Sequence, residues 1–198
     1  MIDDKKKYYS FKYDNKERFI SYWHQIDEIL SCNPELVVEI GVGNKFVTNY
    51  LRQKGINVLS IDINYNLNPD IVANVLSLPL PDNFSDVVCC FQVLEHLPFR
   101  LFPHAISEIA RVTNNYVILS LPHLRNYTYY KLPCLGIIVV PSFKHRWREL
   151  PEEHKWEIGK PPSTIKNIIK ICETKGLKLV KQYHIPEHPY HHIFKFRK

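Results

Sequence analysis

Glu39, Gly41 and Gly43 stand at alternate positions, and Leu36, Val37, Val38 and Ile40 make the surrounding run apolar. Glycines just after such a run let the backbone take positive φ and let a ligand lie against bare peptide. An acid inside an apolar run is otherwise hard to explain without a partner. Asp62 sits near the end of the next apolar run, in Ile61-Asp62-Ile63. A terminal acid on the second strand of a nucleotide-binding fold accepts ribose hydroxyls. The chemistry these residues suggest is therefore recognition of a nucleotide-like ligand. His184, His188, His191 and His192 form a second cluster. No Cys or Asp spacing typical of a metal motif accompanies them, so no metal site is expected there.

These residues need a scaffold, and the pattern around them supplies one. Residues 36–40 read as a buried strand, 46–54 as a helix and 57–63 as a second strand. Asn44 is the expected N-cap of that helix and Gly55 its C-cap. Residues 70–74 read as a short third strand, 86–91 as a fourth and 116–121 as a fifth, with a helix over 103–112. A further helix is expected over 16–30 with Asn15 as cap, and another over 162–174. Alternation at 177–180 and 193–196 reads as a terminal β-hairpin. Between 123 and 160 the pattern fails, and the span holds Tyr127, Tyr129, Tyr130, Trp147 and Trp156. A long irregular insert in a compact domain is usually functional or mobile. Residues 1–14 read as a loose arm. The expected class is α/β, a Rossmann-like sheet of about seven strands, mostly parallel with an antiparallel last strand, and helices on both faces. Ligands of such sheets bind beyond the carboxyl ends of the strands.

The chain of 198 residues is long enough for one such domain. No apolar run approaches the roughly 20 residues of a membrane helix. The N-terminus lacks the apolar core of a secretory signal. Five cysteines include the adjacent pair Cys89 and Cys90 but no CxxC. Reduced, mostly buried thiols in a cytoplasmic protein are expected. The net charge of +6 permits an acidic partner without showing one. Part of it lies at the ends, in Lys5 to Lys7 and in Lys195, Arg197 and Lys198.

The glycine turn is not a dinucleotide fingerprint, because Phe46 takes the third glycine position of G-x-G-x-x-G. No P-loop occurs either. With Glu39 two residues before Gly41, the pattern instead resembles motif I of class I S-adenosylmethionine-dependent methyltransferases, E/D-x-G-x-G-x-G. The resemblance runs on through Asp62 and through Leu78-Pro79-Leu80-Pro81-Asp82-Asn83-Phe84-Ser85-Asp86-Val87-Val88. It continues in Val93-Leu94-Glu95-His96-Leu97 and Glu108-Ile109-Ala110-Arg111-Val112. It covers about residues 36 to 122 and points to the type 11 branch, whose members mostly serve small-molecule and biosynthetic reactions.

That resemblance implies one methyltransferase domain over 1–198. It comprises an arm and helix (1–31), a cofactor-binding core (36–122), an insert or substrate cap (123–160), and a last helix with a terminal hairpin (161–198). It implies S-adenosyl-L-methionine as cofactor, held by Glu39, Gly41, Gly43, Asp62, Ile63, Asn74, Val75, Leu76, Phe91 and Gln92. Glu39 would hold the loop or the ligand's ammonium. Ile63 would flank the adenine, with Asn74, Val75 and Leu76 along its edge. Phe91 and Gln92 would lie by the sulfonium, where an aromatic face is favourable. A general base is needed only if the acceptor loses a proton, and the candidates are His154, His123 and His96. The expected acceptor is a small molecule. A nucleic-acid or protein acceptor is less favoured: Lys131, Lys144, Arg146 and Arg148 would serve it, but Phe91-Gln92-Val93-Leu94 is not the N/D-P-P-Y/F signature of amino-directed nucleic-acid enzymes. Lys45 replaces the last motif I glycine, and Asn74 the acid that commonly faces the adenine amine. Both departures keep a non-catalytic, methyltransferase-like binding protein as an alternative.

Overall fold

The computed structural model describes residues 8–124, 127–132, 136–141 and 150–198, with the backbone alone at 127–132, 136–139 and 141. Strand β1 (Leu36–Ile40) is buried on both sides, as its β-branched run requires. It lies between β2 (Asn57–Asp62) and β4 (Ser85–Phe91), parallel to both. The sheet continues through β3 (Ile71–Val72) at one edge. On the other side come β5 (Thr113–Pro122), β9 (His188–Arg197) and β8 (Lys178–Ile185). The order of the seven strands is β3-β2-β1-β4-β5-β9-β8. β9 runs antiparallel to β5 and to β8. The expected mostly parallel sheet with an antiparallel last strand is therefore present. Chain order reverses direction across the sheet between β1 and β4, which opens a crevice at their carboxyl ends.

Alternate residues of the central strands feed two separate cores. Val38 and Ile40, Val88 and Cys90, and Val117, Leu119 and Leu121 point to one face. They meet helix α3 (Phe102–Val112) through Ala105, Ile106 and Ile109, and helix α4 (Ile165–Thr174) through Ile168 and Cys172. Val37, Val87, Cys89 and Ile118 point to the other face. There they meet helix α1 (Lys16–Leu30) through Tyr22, Ile26 and Ile29, and α2 (Phe46–Gln53) through Val47 and Leu51. α1 starts where Asn15 accepts a hydrogen bond from Arg18 N at 2.9 Å. Cys89, Cys90 and Cys172 are buried free thiols and Cys32 is half-buried. Cys134 lies outside the described residues.

Several sequence expectations need correction. The third strand is two residues long rather than five. Asn74 leaves it to form its own turn, its Oδ1 accepting from Leu76 N at 3.0 Å. The N-cap of α2 is Lys45, in the left-handed region at φ 62°, not Asn44. Asn44 instead braces the turn by accepting from Phe46 N at 3.0 Å. The 123–160 span is not irregular throughout. β6 (Tyr127–Leu132) and β7 (Gly136–Pro141) pair antiparallel as a separate two-stranded sheet. Its end belongs to the core: Trp156 packs edge-on against Phe99 and Phe102, and Ile158 bridges to His123. The terminal strands outrun the expected 177–180 and 193–196. The alternation there is masked by buried polar residues, His191, His192 and Lys195. Ser21 faces His191 at 2.8 Å, and Ser31 accepts from Lys195 at 2.7 Å.

The Glu108-Arg111 motif proves architectural. Arg111 reaches both oxygens of Glu108, Asp82 Oδ1 at 2.9 Å, and the carbonyls of Leu78 and Leu80. It ties the proline-rich loop before β4 to α3. Arg111→Ala should cost about 2–4 kcal/mol in urea unfolding. A loss below about 0.5 kcal/mol would make the network incidental.

Candidate functional site

A cavity of about 620 Å³ opens over the carboxyl ends of β1, β2, β3 and β4. Its floor is built by the turns that end those strands. After β1 come Gly41 at φ 84° and Gly43 at φ 50°. Gly41 N donates to Ile61 O at 2.8 Å, so the turn stays joined to β2. A Cβ at Gly41 would overlap the side chain of Val93, which follows β4. The glycine is required by backbone conformation and by that interdigitation. Gln92 makes the matching turn from β4 at φ 55°, with its side-chain amide donating to Ser120 Oγ at 2.8 Å. Non-glycine residues in this region cost roughly 1 kcal/mol, and such strain gathers at functional sites.

Asp62 ends β2 with its carboxylate fixed from two sides. Oδ2 accepts from Val42 N at 2.9 Å and Oδ1 from Asn64 N at 2.8 Å. Each oxygen keeps a second lone pair for a ligand hydroxyl. Ile63 is 69% exposed and lines the cavity, so it is not part of the core. Asn74 and Val75 also line it; Leu76 does not. Phe91 lines the cavity while staying buried against the α1 side of the sheet.

Glu39 lies at the inner wall, only 3% exposed. Burial pushes its carboxyl up to about 7, against the opposing effect of the Thr48 hydroxyl that donates to it. Lys45 does not line the cavity. Its ammonium turns aside to donate to the carbonyl of Asn68, beyond β2.

The far wall comes from two segments distant in sequence. Glu95 and His96 sit in the short 3-10 turn Leu94–His96 that follows β4. Lys155 N donates to Glu95 O at 2.8 Å, and Trp156 Nε1 to Leu97 O at 2.9 Å. Those bonds bring His154 beside His96, with ring centroids 5.0 Å apart. Glu157, buried, faces His154 Nδ1 at 2.9 Å through Oε1, and the Tyr190 hydroxyl donates to the same oxygen at 2.7 Å. Glu95 is fully buried, and burial pushes it up to about 8.

Of the three histidine candidates, His96 and His154 line the cavity and His123 does not. β5 ends at Pro122, and the next residue stays beside β9, His123 N donating to Tyr190 O at 2.8 Å. His123 packs there on His184, with centroids 4.8 Å apart. The expectation that His123 stands on the ligand side is corrected accordingly. Lys144, Arg146 and Arg148, and the side chain of Lys131, lie outside the described residues. Sequence reasoning missed Tyr8, Tyr13, Arg18 and Tyr22, which cover the glycine turn. Asp14 Oδ1 accepts from Asn44 Nδ2 at 2.7 Å, joining the supposed loose arm to that turn. The signal available was the tyrosine-rich composition of the arm.

Residues 38–120 match the family model described as "Methyltransferase domain". This stretch is similar to a methyltransferase domain. The match starts inside β1 and ends in β5, so the matched stretch contains the turns that build the cavity floor. An uncharacterized protein of Methanocaldococcus jannaschii is 37% identical over 87 residues. That alignment covers 40% of this chain and spans 36% of the relative's length. Among solved structures, the magnesium protoporphyrin IX methyltransferase of Synechocystis PCC 6803 with bound SAM has a TM-score of 0.62 at 16% identity. The superposition covers 92% of this chain and 79% of that one. A SAM-dependent methyltransferase from Aquifex aeolicus also gives 0.62 at 15% identity, covering 98% and 97%. At such identities the structures establish a shared fold. No helix among the described residues is long and apolar enough to cross a membrane.

Proposed function

We propose that the chain binds S-adenosylmethionine and transfers its methyl group to a small-molecule acceptor. The observation that carries this reading is Asp62, its two oxygens fixed by backbone amides beside the Gly41–Gly43 turn. The residues present fit the cofactor. The cavity lies within the roughly 300–1,000 Å³ of sites for ligands of this size. S-adenosylmethionine supplies a methyl group on a positively charged sulfur, already reactive enough for direct displacement. The protein's share is alignment and exclusion of water.

In this reading the Gly41–Gly43 backbone holds the methionine portion and Asp62 accepts the ribose hydroxyls. Ile63 and Val75 flank the adenine, with Asn74 at its edge. Glu39 receives the ammonium, while Phe91 and Gln92 border the sulfonium. The acceptor lies against the far wall of Glu95, His96 and His154, and the 123–160 segment acts as its cap. The domain organisation over 1–198 and the cytoplasmic setting belong to the same proposal. The Synechocystis neighbour is named for a small-molecule substrate, which favours that acceptor class. Lys45, turned to the Asn68 carbonyl, leaves the turn clear for the cofactor and weakens the case for a binding-only protein.

Calorimetry of the full chain with S-adenosylmethionine and S-adenosylhomocysteine tests the reading. One site per chain is expected, and no heat at millimolar ligand would sink it. Incubation of an extract with methyl-labelled cofactor tests the acceptor. Label is expected in the low-molecular-weight fraction. Label confined to RNA, DNA or protein would overturn the small-molecule assignment.

A further inference from the structure

Glu95 presents an unusual situation. Both its carboxylate oxygens are buried, and neither has a hydrogen-bond partner among the described residues. Such a group is costly to leave unmatched. The second oxygen of Glu157, behind His154, is likewise buried without a partner among the described residues. The wall thus holds carboxylate oxygens that lack a donor.

The atoms beside Glu95 are the right kind to share a cation with it. Ligand atoms of Glu95, His96 and His154 all lie within 4.8 Å of one another. His154 Nδ1 faces the Glu157 carboxylate and His96 Nδ1 the Glu153 carbonyl at 3.1 Å. Both partners accept, so in the neutral form of each ring Nδ1 carries the proton and Nε2 the lone pair. Histidines oriented in this way by a carboxylate or carbonyl are the usual ligands of protein metal sites.

We propose that Glu95, His96 and His154 bind a divalent transition-metal cation at the acceptor end of the cavity. Two imidazoles and one carboxylate suit zinc, iron, manganese or cobalt better than magnesium or calcium. Three protein ligands leave coordination positions open, and all three residues line the cavity. Closing the atoms to metal-ligand distance of about 2.0–2.2 Å takes a small side-chain adjustment. His96, exposed on its 3-10 turn, can make it. Resting on the methyltransferase reading, the site also names the acceptor class. The acceptor carries an oxygen, a hydroxyl or carboxylate, that fills an open position and is polarised there.

The test uses the full chain, stripped with a chelator and titrated with Zn²⁺ by calorimetry and with Co²⁺ by visible absorption. One cation per chain is expected, together with a cobalt ligand-field band. Glu95→Gln and His154→Ala should each weaken uptake at least tenfold. Circular dichroism checks that both variants fold. His184→Gln, in the hairpin, should bind as the wild type does. No uptake at millimolar metal, or equal uptake by wild type, Glu95→Gln and His154→Ala, overturns the site. S-adenosylhomocysteine binding measured on the same samples separates the two readings. That ligand bound without cation uptake overturns the metal site alone. Cation uptake lost in the two variants supports the site even where the ligand fails to bind.

Discussion

Replacing Asp62 with alanine should weaken S-adenosylhomocysteine binding by about a hundredfold, close to 3 kcal/mol. Hydrogen bonds to a charged acceptor contribute roughly 1.5–3 kcal/mol each, and a ribose offers two hydroxyls. The carboxylate also positions the turn, since it holds Val42 N and Asn64 N from opposite sides. Asp62→Asn keeps one acceptor oxygen and loses the charge, so a loss intermediate between wild type and alanine is expected. Calorimetry reads the affinities, and urea unfolding shows whether either variant is destabilised. A loss of less than about threefold in a folded Asp62→Ala protein would remove Asp62 from the ligand site.

The second large effect concerns Glu39 and pH. Its carboxyl is raised from 4.5 to about 7 by burial, so the unfolded chain gives up its proton first. The stability it contributes is fully present below about pH 4.5 and is lost as pH rises through about 7. That interval corresponds to about 3 kcal/mol for a fully buried group. The charged and titratable groups that face Glu39 are Arg52, which favours its ionisation, Asp62, whose charge opposes it, and the thiols of Cys89 and Cys90, which burial and its charge push up. Glu39→Gln keeps an acceptor for the Thr48 hydroxyl and removes the titration. Wild type should therefore lose stability relative to Glu39→Gln between pH 4.5 and 8, as read by chemical unfolding. Parallel profiles would show that Glu39 is ionised throughout. In the proposed function the ligand's ammonium meets this carboxylate. Affinity should then rise from pH 6 to 8 in the wild type and stay flat in Glu39→Gln.

The two departures from the family pattern have different outcomes. Lys45 adopts the left-handed conformation usually left to glycine, and Asn68 O takes its ammonium. The substitution is absorbed by backbone strain and a local hydrogen bond, not by the cavity. Asn74 spends one lone pair of its Oδ1 on Leu76 N, which leaves a second for an adenine amine.

Much of the scaffold was legible in the order of residues. Buried parallel strands are apolar runs of fixed length, and Leu36–Ile40 and Ser85–Phe91 are such runs. The turn at Gly41 and Gly43 and the acid at Asp62 also declare themselves locally, because positive φ and a strand-terminal carboxylate are properties of short segments. The far wall of the cavity was only half legible. His96 and His154 stood out as histidines, but their meeting depends on Lys155 N reaching Glu95 O across 60 positions. His123 was also a candidate in sequence and is held away from the cavity by the pairing after Pro122. The aromatic arm of Tyr8 and Tyr13 carries no periodicity, so its place over the glycine turn followed from Asp14 and Asn44 meeting in space. Local pattern determines which segments become strands, helices and turns. Long-range hydrogen bonds, invisible to spacing, determine which side chains of distant segments share a cavity.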